Sequence, residues 1–149
     1  MNTRREQAVR MLLTFIAIFA LGASSQPANA AASYSEYVLR ARFMEAMIYA
    51  NPLKLLVAEY FIQHDGTWPS TLEQASRADP DDPMPGPSKF IRSASLGANG
   101  VLTVTFQSDV PEMGGKSVVF SPHADAEGFL TWTCSAPDIA ENYRSVRCK

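Results

Sequence analysis

The apolar residues of this chain change their period once, and that change limits the folds open to it. From Ser33 to about His64 they recur at spacings of three and four, and from Lys89 onward they alternate. The first pattern lays a stripe along a helix and the second turns one face of a strand toward a core, so a long helix precedes a set of strands. Four alternating runs follow: Phe90 to Leu96, Val101 to Phe106, Lys116 to Ser121 and Phe129 to Cys134. Gly97-Ala98-Asn99-Gly100 joins the first two, and Asn-Gly is the strongest short hairpin signal. Leu102, Val104 and Phe106 alternate with Thr103 and Thr105, which makes one sheet face dry. The expected class is α+β, with an N-terminal helical spine packed on a four-stranded antiparallel sheet.

The helical segment carries two apolar stripes. Tyr37, Ala41, Met44 and Ile48 form one, and Leu39, Phe43 and Met47 form another on a different side. One sheet does not cover both, so Leu39, Phe43 and Met47 are expected to be a protein-docking surface; the competing reading is a wide core stripe with Met as filler. Glu36 and Arg40, four apart, support the helix from outside. Asn51-Pro52 interrupts the pattern before Leu53, Leu56, Val57, Tyr60 and Phe61 continue it. Proline removes an intrahelical hydrogen bond and crowds the preceding turn, so the site is either a kink or the start of a second helix capped by Asn51.

Asp65-Gly66 ends the helical segment, and Gly66-Thr67-Trp68-Pro69 turns the chain. Ser70-Thr71-Leu72-Glu73 has the spacing of a capping box, which predicts a short helix over Thr71 to Ser76. Between Arg77 and Ser88, Pro80, Pro83, Pro85 and Pro87 exclude helix and central strand alike and leave an exposed, semi-rigid loop.

Met1 to Ala30 has the layout of a cleavable secretory signal peptide. Arg4, Arg5 and Arg10 precede the apolar run Met11 to Leu21, and Ala28-Asn29-Ala30 offers small residues for cutting after Ala30. The run is shorter than the roughly 20 residues a spanning helix needs, so no permanent membrane anchor is expected. Polar Glu6-Gln7 and small Ala8 after Arg4-Arg5 favour the general secretory route over a twin-arginine signal. The folded part is then one domain, residues 31–149, in the periplasm or outside the cell.

Removing the three arginines and one glutamate of the leader takes the formal charge from −2 for the whole chain to −4. Such a surface does not attract nucleic acid as a whole. The charges are segregated, with Asp79, Asp81 and Asp82 in mid-chain and Arg144, Arg147 and Lys149 at the end; these regions are expected to orient a protein encounter. Only two cysteines occur, Cys134 and Cys148. In an oxidising compartment their default state is a disulfide, closing a loop of about 15 residues and contributing roughly 3 kcal/mol in the chain-entropy model. A catalytic thiol or a metal-ligand pair is the alternative, and neither cysteine has a histidine near it in sequence. Trp132, two residues before Cys134 on the same strand face, is expected beside the bond.

Other chemistry finds little support. His123, Asp125 and Glu127 alternate and could line one side of a strand as metal ligands, but in a polar connection ending at Gly128 they read as a solvated turn. Asp125 and Glu127 as oxygen ligands for calcium are a weaker form of the same idea. No Ser, Thr or Cys stands in a recognisable nucleophile context, and no glycine pattern cradles a phosphate. Neither catalysis nor a cofactor is expected.

The helix ending in Glu59-Tyr60-Phe61, the turn Gly66-Thr67-Trp68-Pro69, the strand Lys89-Phe90-Ile91, Gly100 to Thr105, Gly115-Lys116-Ser117-Val118, and Leu130-Thr131-Trp132-Thr133-Cys134 closed by Cys148 together resemble the globular domain of a type IV pilin. The resemblance runs from about Tyr34 to the end. It implies a helix spine on a four-stranded sheet, with Arg77 to Ser88 as the helix-to-sheet loop and Cys134 to Cys148 bounding a C-terminal loop. Both regions are exposed faces that set subunit packing and surface contacts in that family. A pilin opens with a short basic leader ending in Gly, then a Phe-Thr-Leu-Ile-Glu-like start to a long apolar half-helix; here Gly22 follows the apolar run, and Ala23 to Pro27 supply neither acidic residue nor helix. The chain resembles a pilin whose assembly helix is replaced by a cleavable leader. The implied role is protein contact in or around the type IV pilus, with adhesion to a host or other surface receptor and with pilus subunits or assembly proteins as partners. The alternative is a soluble extracytoplasmic module binding DNA or a surface glycan on the same fold.

Overall fold

The computed structural model describes residues 28–76, 84–86 and 88–148. The chain divides into two units, Met1–Ala32 and Ser33–Lys149, and the second holds the fold described below. Most of the expected signal peptide lies outside the described residues, as do Asp79, Asp81 and Asp82.

One helix, α1, runs over Ala28–Gln63 with Pro52 inside it. The second helix capped by Asn51 is therefore not formed. Proline takes one donor from the ladder, but Ala46, Ala50, Leu53, Leu56 and Val57 on both sides of it are buried in one core, which keeps the helix continuous through it. The helix closes where Asp65 and Gly66 take positive φ, 51° and 80°. The Gly66 N–H donates to the Phe61 carbonyl at 2.9 Å, a backward bond that satisfies one of the terminal carbonyls.

The short helix α2 spans Leu72–Ser76. Its cap is built one residue later than the Ser70–Glu73 spacing predicts. Thr71 Oγ1 accepts the Gln74 N–H at 3.1 Å, and Gln74 Oε1 accepts the Ser70 N–H at 2.8 Å. This frame turns Leu72 and Ala75 inward, which the earlier one would not favour, and the core decides between two equally capable caps. The Gln74 amide also donates to the Tyr60 hydroxyl, fastening α2 to the end of α1.

Four strands, β1 (Ile91–Leu96), β2 (Leu102–Phe106), β3 (Ser117–Ala124) and β4 (Leu130–Ser135), form an antiparallel sheet in chain order. At the β1–β2 turn Asn99 and Gly100 have φ of 58° and 74°, the conformation that makes Asn-Gly a hairpin signal, and the Gly97 N–H donates to the Val101 carbonyl at 2.7 Å. Gly100 has a second reason to be glycine. A Cβ there would overlap the Trp68 ring, so the Gly66-Thr67-Trp68-Pro69 turn and the hairpin tip are packed against each other. Register places Leu96, Leu102, Phe120 and Cys134 in one row across the sheet and Ala94, Val104 and Val118 in the next. β3 runs past its expected end at Ser121 and through Pro122. That proline lies beyond the last β2–β3 pair, Leu102 with Phe120, so its missing donor breaks nothing toward β2.

The core joins one face of α1 to one face of the sheet, with Phe43, Leu53, Leu56, Leu102, Phe106 and Phe120 almost wholly covered. Val110 and Met113 from the β2–β3 connection, and Ala136 and Ile139 from the C-terminal segment, plug its ends. Cys134 and Cys148 are bonded, with their Cα atoms 4.5 Å apart, and Cys148 forms a parallel bridge beside β4. Trp132 sits half-buried against this core, on the Cys134 face of β4. Arg40 Nε donates to the Asn142 carbonyl at 2.7 Å, tying the segment back to α1. No helix among the described residues is long and apolar enough to cross a membrane.

The disulfide closes a segment whose own core contribution is small, so Cys148→Ser is expected to cost about 2–5 kcal/mol in urea unfolding. Limited proteolysis should then cut first between Ser135 and Arg147. Free thiols at both positions in native protein, by non-reducing peptide mapping, would contradict this account.

Candidate functional site

The two stripes of α1 face opposite ways, and the sequence assigned them the wrong way round. Leu39 is 8% and Phe43 0% exposed, and Met47 is half-buried against the core. Leu39 and Phe43 thus belong to the sheet-packing stripe of Leu39, Phe43, Ala46, Ala50, Leu53, Val57 and Tyr60, Met47 borders it, and the three do not form a docking surface. The stripe that faces outward holds Tyr37, Met44 and Ile48, which are 70%, 45% and 64% exposed. Tyr34, Leu55 and Ile62 extend it along the helix. The signal that separates the two is Asn51. The inward stripe is apolar at every step through Tyr60, whereas the outward one is broken by that amide, which burial against a sheet would leave hard to satisfy.

Along one side of the outward stripe lies a groove of about 400 Å³ between α1, the sheet and the C-terminal segment. Met47, Lys54, Phe120, Trp132 and Arg147 are among its walls. The Lys54 ammonium stands 5.1 Å from the centre of the Phe120 ring, a cation–π distance, and burial holds its pKa below the ordinary lysine value. Met47 Sδ and Cys134 Sγ are 3.8 Å apart, so the groove floor rests on the disulfide.

The two C-terminal arginines differ. Arg147 is exposed and lines the groove. The Arg144 side chain is only 12% exposed and pairs with Glu141 at 3.3 Å, while its Nε is covered without a hydrogen-bond partner. Arg144 therefore belongs to the fastening of the tail, which its position two residues after Asn142 could not reveal from sequence. His123 Nε2 bonds Thr133 Oγ1 at 3.0 Å, and Asp125 Oδ1 accepts the N–H groups of Glu127 and Phe129 at 3.1 and 2.8 Å. The carboxylate of Asp125 is thus committed to shaping the β3–β4 turn. Among the described residues no group of three or more His, Cys, Asp or Glu side chains is placed to hold a metal.

A protein-family model described as pilin, a bacterial filament protein, matches residues 39–149. The chain belongs to the pilin family. Among its relatives is a type IV major pilin protein PilE1 of Neisseria gonorrhoeae, 30% identical over 145 residues that cover 95% of this chain and 63% of that protein. A second PilE1 of the same species is 28% identical over 92% of this chain and 73% of its own length. A fimbrial protein of Neisseria meningitidis serogroup A is 30% identical over 92% of this chain and 76% of its own. The chain spans under two thirds of the first of these relatives. The helix on a four-stranded antiparallel sheet and the C-terminal disulfide are the pilin fold that the sequence motifs implied.

The corrected assignment of the stripes has a direct test in this pilin domain. Phe43→Ala removes a fully covered ring and is expected to cost about 3–5 kcal/mol, whereas Ile48→Ala, outside the core, should stay within roughly ±0.5 kcal/mol. Chemical unfolding of the two variants side by side decides it.

Proposed function

We propose that this chain is a structural or accessory protein of the type IV pilus that acts in cell adhesion through protein contact and without catalysis. The observation that carries the reading is the pilin-family match over residues 39–149, which takes in the core stripe of α1, the whole sheet and the disulfide-closed tail. Its relatives are named as pilins and fimbrial proteins. Contact with other pilus subunits or the assembly machinery follows from family membership; a host or surface receptor is the further partner proposed here. The described surfaces offered for contact are the outward stripe of α1 and the groove with Lys54 and Arg147; Asp79, Asp81 and Asp82, outside the described residues, are proposed to orient the encounter by their charge.

Export by the general secretory route, with cutting after Ala30, is part of the same proposal. N-terminal sequencing of the secreted protein is expected to begin at Ala31, and a start at Ala23 would replace this route with prepilin-type processing.

Sheared surface fractions test the pilus role. The protein should follow the filaments in a strain with an intact pilus machine and leave that fraction when assembly is abolished, with surface attachment falling on its deletion. A protein that stays in the soluble fraction of both strains, with attachment unchanged, overturns the proposal.

A further inference from the structure

We propose that the groove between α1, the sheet and the C-terminal segment is a binding site for a small organic carboxylate with a flat apolar body, of the size of a two-ring aromatic acid. Its walls divide by chemistry. Met44, Met47 and Ile48 of α1 make one side apolar and pliable, and the Trp132 indole and the Phe120 ring supply flat surface on the other. Lys54 and Arg147 bring positive charge to the same space, and none of the residues lining it is acidic. The chain as a whole carries a formal charge of −2, so the groove is a local exception to its sign and not a consequence of it. A volume of about 400 Å³ falls within the range of small-molecule sites.

The floor and the helix above it set the length of the ligand. Register pairs Phe120 with Cys134 across β3 and β4, and Trp132, two residues before Cys134, shows its ring on the same face. Over this floor Met47 Sδ lies 3.8 Å from Cys134 Sγ, and the Lys54 ammonium lies 5.1 Å from the centre of the Phe120 ring. Met47 and Lys54 are two turns apart on α1, about 10 Å along its axis. An acid of two fused rings matches that length, with its rings against Met47 and Trp132 and its carboxylate at the Lys54 ammonium.

The two cations are open to a ligand's charge. Among the described residues neither Lys54 nor Arg147 has an ion pair. Lys54 is half-buried, and the loss of hydration that holds its pKa below the ordinary lysine value leaves its ammonium in want of a partner. The face of the Phe120 ring meets that want only in part, because a ring quadrupole is a weaker partner than a carboxylate. Beside the same apolar walls a singly charged head loses less hydration than a phosphate dianion. A nucleic-acid strand needs a track of cations along its backbone, and two in one groove do not make one. The ligand would also act on the fold. It bridges Met47 and Lys54 of α1 to Arg147 of the tail, and so fastens the segment that buries little surface of its own.

This goes beyond the pilus reading, because purified protein reports on it with no pilus present. The probe is naphthoate, titrated into the purified chain and followed by NMR. It is expected to move the Trp132 indole N–H signal to saturation and to leave that of Trp68, which is packed at the hairpin tip, in place, with a Kd of about 1 mM or tighter. Naphthylmethanol, neutral and with the same rings, should bind at least about tenfold more weakly, and naphthyl phosphate no more tightly than naphthoate. Lys54→Met and Arg147→Gln should each weaken naphthoate at least about threefold with an unchanged melting temperature, while Lys54→Arg keeps most of the affinity. Bound naphthoate should also slow proteolytic cutting between Ser135 and Arg147. A Trp132 signal that does not saturate, equal affinity for the acid and the alcohol, tighter binding of the phosphate, or affinity unchanged in both charge variants overturns the proposal.

Discussion

Everything in this domain is positioned by the contact of one helix stripe with one sheet face. Leu39, Phe43, Ala46, Ala50, Leu53, Val57 and Tyr60 are buried along about six turns of α1, against Leu102, Val104, Phe106, Val118 and Phe120. A sheet of four strands has one face to dry, and a helix of this length is enough to dry it. Alanine at 46 and 50, in the middle of a stripe otherwise made of large side chains, lets the helix lie close to the strands. The same contact explains why Pro52 does not divide the helix. Losing one hydrogen bond costs less than withdrawing Leu53, Leu56 and Val57 from the core.

The remaining elements are attached to that contact rather than to each other. α2 reaches α1 through Gln74 and Tyr60, and Trp68 ties the turn after α1 to the hairpin tip at Gly100. The C-terminal segment buries only Ala136, Ile139 and Cys148. So little apolar surface does not order more than a dozen residues against their conformational entropy, which is why a covalent bond to β4 and the Arg40 bond to Asn142 are needed. The groove follows from this arrangement. Its floor is β3 and β4, one wall is α1, and the other is a tail held in place by the disulfide beneath it.

Periodicity made the larger part of the fold legible, because helix and strand have different repeats and turns have few solutions. The strands fell within three residues of their expected ends, and the Asn99-Gly100 turn has the backbone its sequence demands. Cys134 and Cys148 were legible because only two cysteines exist. Periodicity is silent on direction, however. It showed two stripes on α1 and could not say which met the sheet, so Leu39, Phe43 and Met47 were placed outside. The cap of α2 went wrong for a related reason: Ser70 and Thr71 are both good caps, and only the burial of Leu72 and Ala75 chooses. Arg144 and Arg147, three apart in sequence, differ in exposure because a short 3₁₀ turn at Glu141–Tyr143 turns one of them toward Glu141. Such distinctions depend on tertiary packing that a local pattern does not contain.

Two apolar stripes on opposite sides of one helix present a conflict that the composition of each resolves. If they were equally greasy, the helix could bury either and the chain would have two competing ways to fold. The inward stripe carries Leu39, Phe43, Leu53 and Val57 with two alanines, and the one polar side-chain atom on it, the Tyr60 hydroxyl at its end, accepts a hydrogen bond from Gln74. The outward stripe holds two tyrosines, an asparagine and two alanines among four aliphatic side chains. Turned toward the sheet, it would bury the Asn51 amide and two phenol hydroxyls with no partners assured, a penalty of about 1–3 kcal/mol for each unsatisfied group. Left outward, the same groups are exposed and hydrated. The polar residues of the outward stripe thus act on folding without touching the core: they decide which face of α1 meets the sheet and which stays exposed.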